Sequence, residues 1–398
     1  MRRRDDCRHR RVCALAGLGD CVKPTNSDLA LLATSGIRRF NALANSYPGC
    51  VKLTLGEPEF DTPEPVRSAV ARSLAEGQTH YPPNNGKLVL REALSAYMGE
   101  QGLSYAAEDI VVTCGATEAL FATLTALINP GDEVIVPVPA FGLYETITRS
   151  AHGRVRFLDT APTGFAICEE DLRAVVGEST KAIVITSPNN PTGCVYGPES
   201  LNAVAKVASE TGIYVICDDV YNRLCFLDGY ERLAVSHPEL REQLVVVDSF
   251  SKPWAMTGWR IGWLAAAPAL REQIEKMHQY LISSIPAFVQ DAAVVALGLD
   301  PADMRETYRR RRDYVCERLY DMGLPLTRPE GAFYAFPEVR GLGVDSQELC
   351  ERLVREAGVA CVPGECFGTP GFLRLSYCVS DDDLSLGLDR LQEFIAQL

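Results

Sequence analysis

Six short apolar runs, most of them separated by helix-length segments, constrain this chain more than any other feature. They are Ile110–Cys114, Glu133–Pro137, Lys181–Thr186, Tyr214–Asp218, Leu244–Val247 and Ile261–Ala265. Each is rich in β-branched residues, too short for a helix, and apolar at consecutive positions. Strands buried on both faces read this way, and strands that alternate with helices pair mostly in parallel. The stretch Glu118–Leu127, closed by Asn129-Pro-Gly131, is one such helix. The expected fold class is therefore α/β, with a mostly parallel sheet covered by helices. Ligands of such sheets bind beyond the carboxyl ends of the strands, so the residues just after each run are the ones to inspect.

From about residue 290 the pattern changes. Pro301–Leu319 reads as a long charged helix, with Asp300 as N-cap and Pro301 at the first position. Its run Arg309-Arg-Arg-Arg312 reads as a solvated face. Short strands follow at Ala332–Phe336 and Gly371–Ser376, and a last helix at Asp381–Gln397. The division expected is an N-terminal extension over 1–34 and a first part of a smaller α+β domain over 35–75. A large domain over 76–290 and the rest of the small domain over 291–398 complete it. Gly17-Leu-Gly19 and Gly341-Leu-Gly343 are fragments of a dinucleotide fingerprint that neither completes after a strand.

The 398 residues are enough for a large core and two lobes. A net charge of −13 argues against nucleic acid as a partner. No apolar run approaches the roughly 20 residues that cross a bilayer. The basic start is followed only by Val12–Gly19, a poor signal peptide, since charges flank it closely. Fourteen cysteines are scattered singly, with no Cys-x-x-Cys pair and few histidines. Disulfide and zinc frameworks both fail on that spacing, no metal site is expected, and a reducing cytoplasm is the simplest setting.

The strand ends carry the chemistry. After Leu244–Val247 comes Asp248-Ser249-Phe-Ser-Lys252, followed by Arg260. A lysine at a strand mouth, beside hydroxyls and a cation, can lose its proton well below the usual value of about 10.4 and attack a carbonyl. Ser249-x-x-Lys252 also fits serine β-lactamases, but the partner Ser-Asp-Asn and Lys-Thr-Gly motifs are absent. Ile110–Cys114 ends in Gly115-Ala116-Thr117, at once an ordinary helix start and an anion site. Glu133–Pro137 leads to Phe141, which can stack on a planar ring or simply fill the core. Lys181–Thr186 leads to Asn190-Pro-Thr-Gly193, a plain turn or a cis-proline turn that aims Asn190 inward. Tyr214–Asp218 leads to Tyr221. A carboxylate there is either solvated or able to pair with a pyridinium N–H.

Together these strand ends resemble the class I/II aminotransferases of pyridoxal phosphate (PLP) fold type I, the aspartate aminotransferase superfamily. The resemblance runs from about Ser35 to the C-terminus. It rests on Leu55-Gly56-Glu-Pro-Glu-Phe-Asp-Thr-Pro63, Tyr81 with Gly86 and Leu90-Arg91, Gly115-Ala-Thr117, Asn190-Pro-Thr-Gly193, Asp218-x-x-Tyr221, Ser249-x-x-Lys252 with Arg260, and Arg374-Leu-Ser376. It implies a seven-stranded large sheet and PLP held by Lys252 as a Schiff base. Asp218 would pair with the pyridine nitrogen, Tyr221 and Asn190 with the phenolic oxygen, and Phe141 would stack on the ring. Gly115, Ala116, Thr117, Ser249 and Arg260 would surround the phosphate. Tyr81 would reach it from the other subunit of a homodimer. Arg374, assisted by Asn190, would clamp the substrate carboxylate above a floor at Gly56. Lys252 would also shuttle the proton in a ping-pong transamination.

Substrate is less constrained. Dicarboxylate-specific members take an arginine from a segment that here reads Ile282–Phe288, without arginine, or a lysine where this chain has Thr117. Arg38 or Arg39 can meet an acidic side chain or serve as surface charge. The expectation is an aromatic or broad neutral donor with 2-oxoglutarate as acceptor. N-acetyl-diaminopimelate or aspartate transamination is the alternative, and a C–S β-lyase is the alternative of another class. A PLP-binding regulator would need a helix-turn-helix domain ahead of Ser35, where only about thirty residues stand.

Overall fold

The computed structural model describes residues 32 and 34–398. The expected extension over 1–34 falls almost wholly outside the described residues. Strand β1 (Val51–Lys52) precedes the large sheet. That sheet comprises β2 (Ile110–Thr113), β3 (Glu133–Val138), β4 (Arg154–Asp159), β5 (Thr180–Thr186), β6 (Tyr214–Asp218), β7 (Leu244–Ser249) and β8 (Gly262–Ala266). Its order is β2-β8-β7-β6-β5-β3-β4. Strand β8 runs antiparallel to both neighbours, and the remaining pairs are parallel.

The six runs are apolar throughout because both faces are covered. Ile183, Ile185, Val215 and Val246 enter one core, while Val184, Ile216, Val245 and Val247 enter the other. Each such side chain contributes roughly 1.5–3 kcal/mol by leaving water. Strand β4 is the seventh and was not legible as a run. It lies at the sheet edge, where Leu158 is its one buried residue, and charges protect such edges from mispairing.

Strands β9 (Tyr334–Ala335), β10 (Val359–Ala360), β11 (Val362–Pro363) and β12 (Leu373–Ser376) build a smaller body. β12 lies antiparallel between β11 and β9, and β1 pairs in parallel with β10 through Val51 and Val359. The N-terminal share of this body ends earlier than residue 75. Helix Glu64–Ala75 packs on helix Ala287–Leu297, and Val66 and Ala69 lie in the core of the large sheet.

Two readings of the charged helix are corrected. It spans Ala302–Asp321 with Pro301 at the cap, and Asp300 bonds Arg223 at 3.1 Å instead of capping. Nor is Arg309–Arg312 wholly a solvated face, because Arg311 and Arg312 are buried. Arg311 donates to Asp381 at 2.7 Å and also pairs with Glu59, and Arg312 donates to the Pro329 carbonyl at 2.7 Å. Guanidinium groups so placed tie the helix to three other segments.

Candidate active site

The carboxyl ends of β5, β6 and β7 open into a cleft of about 750 Å³ that the smaller body closes with Arg374 and Tyr334. Asp218, the last residue of β6, is buried. Its Oδ2 accepts the Tyr144 hydroxyl at 2.7 Å, and Tyr144 is also 2.6 Å from Thr186 Oγ1. Its Oδ1 is buried with no hydrogen-bond partner. Burial pushes the carboxyl up to about 6, against the opposing Tyr144 hydroxyl, Val220 N–H and Lys252 charge. A buried carboxylate oxygen left open in a cleft wall is suited to a cationic N–H.

Lys252 follows β7, and its Nζ donates to the Gly56 carbonyl at 2.5 Å. Burial pulls its pKa down to about 8, helped by Arg374 and Arg260 and opposed by Cys378 and Glu57. The amine is thus partly unprotonated near neutral pH, as a nucleophile requires. Tyr221 Oη lies 2.8 Å from Tyr334 Oη, and burial followed by that neighbour pushes the Tyr221 phenol well above its ordinary value. It therefore keeps its proton as a donor.

The same cleft holds an anion cradle. Helix Gly115–Leu127 starts at the cleft, so its first N–H groups lack helical partners. Arg260 adopts φ +55° and donates to the Thr257 carbonyl at 3.0 Å. Gly115 has φ +72°, and a Cβ there would sit 2.9 Å from Arg260 Nη2. Glycine thus lets the guanidinium lie against the turn. Ala116, Thr117, Ser249, Ser251 and Arg260 all line the cleft, as does Phe141, packed edge-on to Tyr144 with ring centroids 6.4 Å apart.

Arg374, on β12, is 1% exposed. Nη1 donates to Asn190 Oδ1 at 2.8 Å, and Nη2 bonds the Thr54 carbonyl. Its Nε is buried and unpartnered, and among the described residues no carboxylate pairs with it. A buried guanidinium facing neutral acceptors is set to receive an anion. A Cβ at Gly56 would lie 1.7 Å from Tyr334 Oη, which explains the glycine on this floor.

The structure thus gathers Lys252, Asp218, Tyr221, Asn190, Phe141, Ser249, Arg260, Arg374, Gly56 and the Gly115–Thr117 turn. Tyr81 does not line the cleft of its own chain and is 91% exposed. The cis peptide considered at Asn190-Pro191 is instead at Ser187-Pro188. Three contributors were missed by sequence reasoning. Tyr144 was not singled out beyond Phe141, Thr186 entered only as a strand end, and Tyr334 only within the short strand Ala332–Phe336.

Every feature PLP requires is present: an amine, an unpaired carboxylate oxygen, an aromatic wall and a phosphate cradle. Fold and cleft together define a PLP enzyme of fold type I. The family described as aminotransferase class I and II matches residues 48–391. An aspartate aminotransferase of Thermotoga maritima is 38% identical over 356 residues, 89% of this chain and 93% of that protein. A Bacillus subtilis protein provisionally named N-acetyl-LL-diaminopimelate aminotransferase is 38% identical over 91% of this chain and 93% of its own length. The crystal structure of an aromatic aminotransferase from Pyrococcus horikoshii matches with a TM-score of 0.85 at 34% identity, covering 90% of this chain and 99% of that one. The chain belongs to the class I and II aminotransferases, and it is an enzyme that uses pyridoxal phosphate.

Proposed function

We propose that this aminotransferase moves the amino group of aromatic and other neutral L-amino acids to 2-oxoglutarate at the cleft around Lys252. The observation that carries the site reading is the buried Arg374–Asn190 pair, which has no carboxylate partner among the described residues and lines the same cleft as the lysine. Arg374 receives the α-carboxylate in bidentate fashion and Asn190 holds the guanidinium in plane. Lys252 would attach PLP. The open Oδ1 of Asp218 would take the pyridinium N–H, Tyr221 would donate to the phenolic oxygen, and Phe141 would flank the ring. Ala116, Thr117, Ser249 and Arg260 would hold the phosphate. Once bound, PLP supplies the electron sink that acidifies the substrate α-carbon. The Lys252 amine, partly unprotonated near neutral pH, would take the α-proton as general base.

The mouth of the cleft supports a broad donor range. Ile37, Ala42 and Leu55 offer apolar surface, while Arg38, Asn41 and Asn45 offer polar contacts. A distal carboxylate of 2-oxoglutarate can meet Arg38. The same residue favours a second reading, aspartate or N-acetyl-diaminopimelate as donor, which the names of the two relatives also support. A donor panel separates them. With tyrosine and phenylalanine preferred, Arg38→Ala raises KM for 2-oxoglutarate up to about fivefold, the effect of an exposed ion pair, and leaves KM for tyrosine unchanged. Preference for aspartate or N-acetyl-diaminopimelate by more than about tenfold in kcat/KM selects the second reading. Accumulation of pyruvate without a 2-oxo acid co-product selects the lyase.

A homodimer is part of this proposal. Tyr81, Tyr280, Leu88 and Val89 are large exposed side chains, more than single surface residues explain, and Tyr81 is free to reach a partner's phosphate cradle. A cytoplasmic setting fits the free thiols among the described residues. None of the described helices is long and apolar enough to cross a membrane.

The depressed lysine gives a pH test. Apoprotein captures PLP through the neutral amine, so the capture rate climbs as pH rises and levels off above about 8. Stopped-flow absorbance between about pH 6 and 10 follows it, and a plateau reached only above the ordinary lysine value would contradict the depressed pKa.

A further inference from the structure

His278, in helix Pro268–Ile282, is 0% exposed and is absent from the cleft. Both its ring nitrogens face acceptors. Nδ1 lies 3.1 and 3.3 Å from the two carboxyl oxygens of Glu118, and Nε2 lies 2.8 Å from the Asn84 carbonyl. A carbonyl only accepts, so Nε2 carries a proton. Nδ1 faces the Glu118 carboxyl, which also accepts the Cys114 N–H, so the arrangement suits a ring that donates from both nitrogens, an imidazolium. Burial alone would lower the imidazole pKa, but the Glu118 hydrogen bond and charge, with the Asn84 carbonyl, leave it raised.

The pair joins two segments. Glu118 Oε2 accepts the Cys114 N–H at 3.1 Å, immediately before the Gly115–Thr117 turn. Asn84 belongs to the loop that carries Tyr81, between Ala75 and Leu88, where its side chain bonds the Ser283 carbonyl and the Asn85 carbonyl accepts Val112 N–H at 3.1 Å.

We infer that the His278–Glu118 pair is a positioning device, which locks the phosphate-cradle turn to the Tyr81 loop and neutralises a carboxylate buried beneath the cradle. The inference rests on the reading that this turn holds the phosphate of PLP. Without the imidazolium, Glu118 is an unpaired buried anion near the seat of a dianion, and both the charge and the turn must readjust.

The test is PLP dissociation from the purified holoenzyme, measured by dialysis and absorbance, in wild type, His278→Leu, Glu118→Gln and the double variant. His278→Leu raises the PLP dissociation constant about tenfold or more, because it strands the carboxylate. Glu118→Gln permits a neutral ring with every bond kept. Its amide oxygen accepts from Cys114, its amide nitrogen donates to Nδ1, and Nε2–H still reaches Asn84. It stays within about threefold of wild type. The double variant recovers the part of the loss due to the stranded anion, while the part due to the broken link to Asn84 remains. Wild-type affinity in His278→Leu, or no recovery in the double variant, would overturn the inference. If His278→Leu does not fold, Glu118→Gln and the double variant decide: a loss above about tenfold in Glu118→Gln, or a double variant that does not fold either, overturns it. A wild-type protein that holds no PLP overturns the site reading itself, and this inference with it.

Discussion

Lys252→Ala abolishes the long-wavelength absorbance of the cofactor and lowers transamination by about 10⁴-fold or more, because one amine both attaches PLP and moves the α-proton. The fold survives this change. Among the described residues the Lys252 amine has one hydrogen bond, to the Gly56 carbonyl, and burial makes its charged form unfavourable. A lysine pKa held to about 8 in the fold, against the usual value near 10.5, means that the charged side chain opposes folding below that range. Its removal therefore leaves the melting temperature of the apoprotein at neutral pH unchanged or raised. Absorbance, turnover and calorimetry on the same preparation check the three parts. Near-normal turnover in this variant would remove Lys252 from the mechanism.

Arg374→Ala acts on substrate affinity. Truncating one partner of a buried, hydrogen-bonded charge pair costs about 2–5 kcal/mol, or roughly 30- to several-thousand-fold in kcat/KM. The loss falls on every amino acid donor alike, because all share the α-carboxylate. PLP absorbance persists, since the guanidinium is assigned no contact with the cofactor. Arg374→Lys recovers little: an ammonium cannot hold Asn190, the Thr54 carbonyl and a bidentate carboxylate in one plane. Truncation also strands the Thr54 carbonyl and Asn190 Oδ1 in the interior, so a lower melting temperature accompanies it. Unchanged KM values across the donors would exclude the clamp.

The parts legible in the sequence were those governed by local pattern. Runs buried on both faces of a sheet have no alternation to hide, so six strands and the residues after them could be placed from composition alone. Strand β4 escaped because an edge strand mixes arginine with apolar residues, as a surface segment does. Chemistry assembled from distant segments was harder to see. Tyr334 of β9 meets Tyr221, which follows β6 of the large sheet, and no local spacing encodes a contact across 113 positions. Tyr144 bonds Asp218 across 74 positions because the helix after β3 and the end of β6 meet at the same end of the large sheet. Burial of Arg311 and Arg312 was misread because a run of arginines looks solvated until Glu59 and Asp381 reach Arg311, and the Pro329 carbonyl reaches Arg312, from elsewhere in the chain. His278 had no motif around it, and its meaning comes entirely from the two acceptors that bracket it.

The central claim is that this cleft binds PLP on Lys252 and exchanges amino groups there. A single-turnover absorbance titration of the purified holoenzyme with tyrosine, phenylalanine, alanine, methionine, aspartate, glutamate, cystathionine and N-acetyl-diaminopimelate tests it most directly. The account predicts that the long-wavelength band disappears with tyrosine or phenylalanine, that one 2-oxo acid forms per site, and that 2-oxoglutarate restores the band. A band that persists while pyruvate accumulates, or no band after PLP is added, would contradict it.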